Sequence, residues 1–156
     1  MCATVLARFF ISAVFLAGAI GKIFNWHDTE KLLTNTLCDW QINIGFSETA
    51  QSCFAILTPW TPLLLIAATL CELVGGLLVL LGIKEKLGAG LLILFLIPTT
   101  IIMHQFWFIE GSMKELQTIM FLKNLAILGG LFMIVLHGAQ AKSGGGGDSF
   151  PPMKFG

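Results

Sequence analysis

Residues 87–109 read LGAGLLILFLIPTTIIMHQFWFI, twenty-three positions without one Asp, Glu, Lys or Arg. A helix needs about 20 mostly apolar residues to cross bilayer hydrocarbon, and this stretch supplies them. Three other stretches come close to the same pattern: 60–83 is broken only by Glu72, 116–138 only by Lys123, and 3–24 carries Arg8 towards one end and Lys22 towards the other. Four spans are therefore expected. The rest of the composition agrees. Hydrophobic residues make up 56% of the 156 positions and Asp, Glu, Lys and Arg only 12%, too few charges to cover a soluble globule of this size. Nine basic side chains balance nine acidic ones, so there is no electrostatic footprint for nucleic acid. The expected fold is an all-α membrane protein, a four-transmembrane-helix bundle occupying 1–141. The Ser-Gly-Gly-Gly-Gly-Asp run and Pro151-Pro152 make 142–156 a disordered C-terminal tail.

At the N-terminus, Phe9 to Leu16 followed by Ala17-Gly18-Ala19 also has the outline of a cleavable signal peptide. Its basic region would be Arg8 alone behind apolar Val5-Leu6-Ala7, a poor fit, and a retained first span is the preferred reading. Lys and Arg in short loops set orientation. Arg8, Lys84, Lys86, Lys142 and Lys154 fall on one side, and Lys31 and Lys114 on the other with Lys22 at its boundary. Both termini are thus expected in the cytoplasm. The first connection, 25–59, then lies outside and should hold short amphipathic helices: Asp28 can cap one bearing Leu32, Leu33 and Leu37, and Ser47 another bearing Ala50, Phe54 and Leu57. Trp26, Trp40 and Trp60 suit the headgroup level.

The connection also carries Cys38 and Cys53. A disulfide between them in an oxidising space and two unpaired, small apolar side chains are both open. No metal site is expected, since His27, His104 and His137 sit in different segments without clustered Cys partners. No cofactor motif is evident, and the glycine run 144–147 is followed by no helix that could cradle a phosphate.

Polar groups within the spans carry the functional information, because an intramembrane ionisable residue is a functional candidate by default. Glu72 is twelve residues from Trp60 and eleven from Ile83, a midplane carboxyl. Lys123 and the adjacent Asn124 lie about 10 Å inside the outer end of the fourth span at 1.5 Å per residue. Lys22 and His104 lie nearer the outer surface. Arg8, fourteen residues from Lys22 and within about 40° of the same helix face, has a snorkelling role as its simplest reading. Lys22, Glu72, His104, Lys123 and Asn124 together suggest a polar pocket open to the outside. Glu72 and Lys123 differ by about 7–8 Å in depth, within their combined reach, and are expected to pair. Gly75 and Gly76 in the second span, and Gly129 and Gly130 in the fourth, are expected to let helices approach closely.

Taken in order, Arg8, Gly18-x-x-Gly21-Lys22, Glu72-Leu73-Val74-Gly75-Gly76 and Lys123-Asn124-Leu125-Ala126 with Gly129-Gly130 resemble the DoxX family over about residues 5–140, the outer connection and tail apart. The resemblance implies a compact four-helix protein of the bacterial inner membrane. It also implies a redox association, since some relatives are quinone-linked, as in thiosulfate:quinone oxidoreductase, and others attach to membrane oxidoreductases. This chain shows no haem, flavin or thiol-pair motif of its own. Three readings follow. One is a subunit, catalytic or accessory, that binds a quinone-like or other small apolar molecule among membrane lipid and partners an oxidoreductase. The second is a small proton-coupled transporter using Glu72. The third is an assembly or anchoring protein without chemistry.

Overall fold

The structure, a computed structural model, describes residues 2–45 and 47–138; the tail expected to be disordered lies outside the described residues. Within them there is no strand. The helices are α1 (Cys2–Phe24), α2 (Trp26–Asn43), α3 (Glu48–Leu57), α4 (Thr61–Leu81), α5 (Glu85–Met103) and α6 (Ser112–His137), with 3-10 turns at Thr58–Trp60 and Phe106–Phe108. Four of them, α1, α4, α5 and α6, are long and apolar enough to cross a membrane, and the protein is an all-α membrane bundle. Bilayer hydrocarbon offers no hydrogen-bond partners, so polar groups inside it must satisfy one another. The buried threonines do this locally: Thr69 donates to the Leu65 carbonyl at 2.8 Å and Thr100 to the Leu96 carbonyl at 2.6 Å.

The bundle order follows from where the small residues fall. α4 packs against both α1 and α5, and α6 packs chiefly against α5. Gly75 of α4 and Gly88 of α5 meet at the crossing: a Cβ on Gly75 would come within 2.9 Å of Leu92, and one on Gly88 within 2.9 Å of the Gly75 carbonyl oxygen. One position on, Gly76 faces α1, where a Cβ would lie 3.1 Å from Leu16. The double glycine thus serves two neighbours at once, each through one member. Gly130 approaches α1 at Ile11, but Gly129 has open space where its side chain would be. The expected packing role of Gly129 is therefore not found, because it lies about 100° around the helix from Gly130 and so off that contact. Phe15, Val79, Leu92, Phe95, Leu96 and Leu131 form the core between these helices.

α4 ends at Gly82, whose φ of 68° is the left-handed cap conformation that glycine adopts without penalty. The chain then turns straight into α5.

The first connection is a helical cap. Ser47 accepts from the Ala50 amide at 3.4 Å as the sequence suggests, but α2 begins at Trp26, placing Asp28 inside its first turn where a carboxylate favours the helix dipole. Trp40 turns into the protein. It is 7% exposed, stacks on Phe54 of α3 at 5.2 Å, and donates its indole N–H to the Ile102 carbonyl at 2.9 Å. That bond satisfies one of the last carbonyls of α5. The helix accordingly stops at Met103, six residues short of the apolar run. Cys38 and Cys53 are both free. The faces of α2 and α3 that meet carry Trp40 and Phe54, and Cys38 lies about 200° around α2 from Trp40.

Candidate functional site

Two ion pairs tie α1 to its neighbours. Towards the C-terminal end of α1, the Lys22 ammonium donates to Glu72 Oε2 at 2.6 Å, with the Gly18 carbonyl at 3.4 Å and the Phe95 ring centroid at 5.4 Å. Gly18 makes this possible, since a Cβ there would lie 3.2 Å from Glu72 Oε1. At the opposite end of α1, Arg8 Nη2 reaches Glu85 Oε2 at 2.6 Å. Gly82 and Gly138 leave room there: a Cβ on either would approach to 3.0 Å from Arg8 and 3.1 Å from Glu85 respectively. The Arg8–Glu85 pair therefore sits where all four membrane helices converge. Arg8 does not snorkel, because a buried carboxylate stands within its reach.

The expected Glu72–Lys123 pair is not formed. Lys123 is exposed on α6, with its ammonium 3.3 Å from the Met120 sulfur. α4 neighbours α1 and α5, whereas α6 rests mainly on α5, so matching depth does not bring the two side chains together. Asn124 is buried, donates to Thr100 Oγ1 at 3.1 Å and joins α6 to α5. His104 Nδ1 lies 2.7 Å from Gln117 Oε1, a second link between the same helices.

Between α4 and α5, beneath α2, lies a chamber of about 530 Å³. That volume is within the range of small-molecule sites. Leu64, Leu65 and Ala68 of α4, and Leu94, Phe95 and Ile102 of α5, form much of its wall, and α2 contributes Thr29, Leu32 and Leu33. Pro98 also lines it. A proline inside a helix removes one hydrogen bond and loosens the turn before it, which suits the border of a cavity. The polar groups facing the space include Lys22 and His104. Glu72 does not line it and stands behind Lys22. Of the five candidates from the sequence, Lys22 and His104 line one space, Glu72 is tied to it only through Lys22, and Lys123 and Asn124 are left out. Glu85 and Trp40 were not singled out as site-forming residues. The acid of the turn Lys84-Glu85-Lys86 was the available signal, facing a cation already on α1.

Residues 3–105 match the DoxX family. The chain belongs to the DoxX family. The match takes in α1 to α5, and with them both ion pairs and the chamber; Lys123, Asn124, Gly129 and Gly130 lie beyond it. It also runs through the first connection. Over 100 residues the chain is 29% identical to the inner membrane protein YphA of Escherichia coli (strain K12), covering 64% of this chain and 71% of that one. No solved structure matches the chain significantly. As a DoxX protein it is a multi-pass membrane protein, and its polar side chains are held inside a helical bundle.

Proposed function

We propose that this protein resides in the bacterial inner membrane with both termini in the cytoplasm, and that its chamber binds a small lipid-soluble molecule for an oxidoreductase partner. Quinones are the first candidates, on the family resemblance. The observation that carries the reading is the chamber itself. It is an apolar space of about 530 Å³ beside a cation and an imidazole, able to hold a ring and tail in its wall and an oxygen head at Lys22 and His104. A partner would supply the electrons, and this chain would position the molecule.

The location of α2 and α3 on the Lys22 side puts the chamber in the outer half of the membrane in this orientation. In a chain whose own cysteines are replaced by serine, Asp28→Cys and Ser112→Cys should react with a membrane-impermeant maleimide on intact cells, and Lys142→Cys should not. The reverse pattern would turn the chamber to the cytoplasmic side.

For the ligand, a quinone carrying a photoreactive tail should label peptides from 64–71 and 94–104. Ala68→Trp, which fills the space from α4, should lower that labelling at least about tenfold, as if affinity fell by about 1.4 kcal/mol. Labelling spread evenly over the lipid-facing surface and indifferent to Ala68→Trp would remove the ligand-site reading. An Ala68→Trp protein that keeps its melting temperature makes that comparison clean.

A further inference from the structure

The charges around the chamber are arranged unequally. Lys22 presents a cation to it, and no acidic side chain lines it among the described residues. Glu72 stands on the other side of the ammonium and is screened, its side chain 5% exposed against 21% for Lys22. An ammonium has three N–H groups. One is taken by Glu72, one points weakly at the Gly18 carbonyl, and the remainder faces Phe95 and the chamber. Leu94 and Leu64 line the chamber and are themselves 66% and 37% exposed, so its wall reaches the apolar flank of the bundle, from which a ligand can enter.

From this geometry we infer that the chamber selects amphiphiles with a single carboxylic acid head, and that Lys22 exchanges Glu72 for that head on binding. This rests on the chamber being the ligand site. An anion added beside an intact, neutral Lys22–Glu72 pair would leave one net negative charge in a low-dielectric region, a costly arrangement. The exchange avoids it. A neutral carboxylic acid arriving from the lipid passes its proton to the Glu72 carboxylate, and the resulting ligand carboxylate takes the place of Glu72 on Lys22. One O–H bond breaks on the ligand and one forms on Glu72, and the site stays neutral throughout. Among the described residues no other carboxylate lines the chamber to take that proton: α1 presents Lys22, α4 Cys71, α5 His104, and α2 the uncharged Thr29, Leu32 and Leu33. The second acid against α1, Glu85, is held by Arg8 at the far end. His104 also lines the chamber, with its Nδ1 engaged by Gln117.

The test uses the full chain in lipid nanodiscs, with empty nanodiscs subtracted, and dodecanoic acid, dodecanol and a short-tailed ubiquinone as probes. Dodecanoic acid should bind at least about tenfold more tightly than dodecanol. At pH 7.5, where the free carboxylate is ionised in water, calorimetry in buffers of different ionisation enthalpy should show one proton taken up per ligand. Affinity for the carboxylate should then fall about tenfold per pH unit above that pH. Glu72→Gln should bind with no proton uptake and no such slope. Lys22→Arg should keep binding and uptake, and Lys22→Met should lose binding. If Lys22→Met fails to fold, the wild-type proton count and Glu72→Gln decide the matter. Wild-type binding of the acid without proton uptake would overturn the exchange. Binding of the ubiquinone but not the acid would overturn the acid class and keep the chamber as a ligand site. Failure of all three probes to bind would take away both readings.

Discussion

Lys22→Met is expected to cost about 3–5 kcal/mol of folding stability, the range for removing one partner of a buried ion pair. The reason lies in what remains. Glu72 is 4% exposed, its side chain is short, and it lies near the middle of α4, so without the ammonium it cannot reach a headgroup and has no other cation beside it among the described residues. The reciprocal change is milder. Glu72→Gln leaves Lys22 on a long flexible stem two residues from the end of α1, able to snorkel towards the interface. Its cost should be about 1.5–3 kcal/mol, the worth of a hydrogen bond to a charged group. The double variant should be less damaging than the sum of the two, because no charge is then stranded. Lys123→Met, at an exposed position with no carboxylate partner among the described residues, should stay within about 0.5 kcal/mol. Unfolding titrations in mixed micelles followed by helical circular dichroism give all four values. Equal losses for Lys22→Met and Lys123→Met would contradict the pairing described here.

The second large effect is expected at the crossing of α4 and α5. Gly88→Leu should destabilise the bundle by about 3 kcal/mol or more, the upper end for overpacking. Even its first atom has nowhere to go. A Cβ at this position lies 2.8 Å from the Leu78 Cβ, 2.9 Å from the Gly75 carbonyl oxygen and 3.1 Å from Val79. Two of these are backbone or Cβ atoms that cannot rotate aside, so relief requires the helices to part. Parting them opens the core between Val79 and Leu92. Gly90, two residues on, is the control: a Cβ there meets nothing within 4 Å, so Gly90→Ala should be neutral or favourable by up to about 1 kcal/mol through helix propensity. A Gly88→Leu protein with wild-type stability would mean that the two helices do not cross at this point.

The contrast between these two sites shows what could be read in the sequence. The four spans were legible because length and apolarity are properties of each helix alone. The packing role of Gly75 and Gly76 was legible for a similar reason, though which neighbour each would meet was not. The partner of Glu72 was not legible from depth. Depth along the membrane normal is one coordinate, and choosing between Lys22 and Lys123 needs the order of helices around the bundle. The fourteen-residue spacing of Arg8 and Lys22 did carry part of the answer, since it places two cations on one face of α1. That face meets Glu72 from α4 and Glu85 from α5. The chamber was foreseen only as a cluster of polar residues towards one side. Its volume depends on how α2 roofs the gap, and that in turn depends on the Trp40 bond to the end of α5, a contact across sixty-two positions that no local pattern announces.

The two cations of α1 bear on how the protein is made. The ribosome delivers α1 before either acid exists, and both of its charges lie towards the ends of the helix, where they can wait at the lipid headgroups. The carboxylate of α4 arrives later and in the middle of its segment, the depth at which the insertion machinery is least tolerant of charge. By then its counter-ion is already in the membrane. Chain order thus lets each acid meet a resident base, and a nascent chain lacking α1 would present the lateral gate with an acid that has no one to receive it.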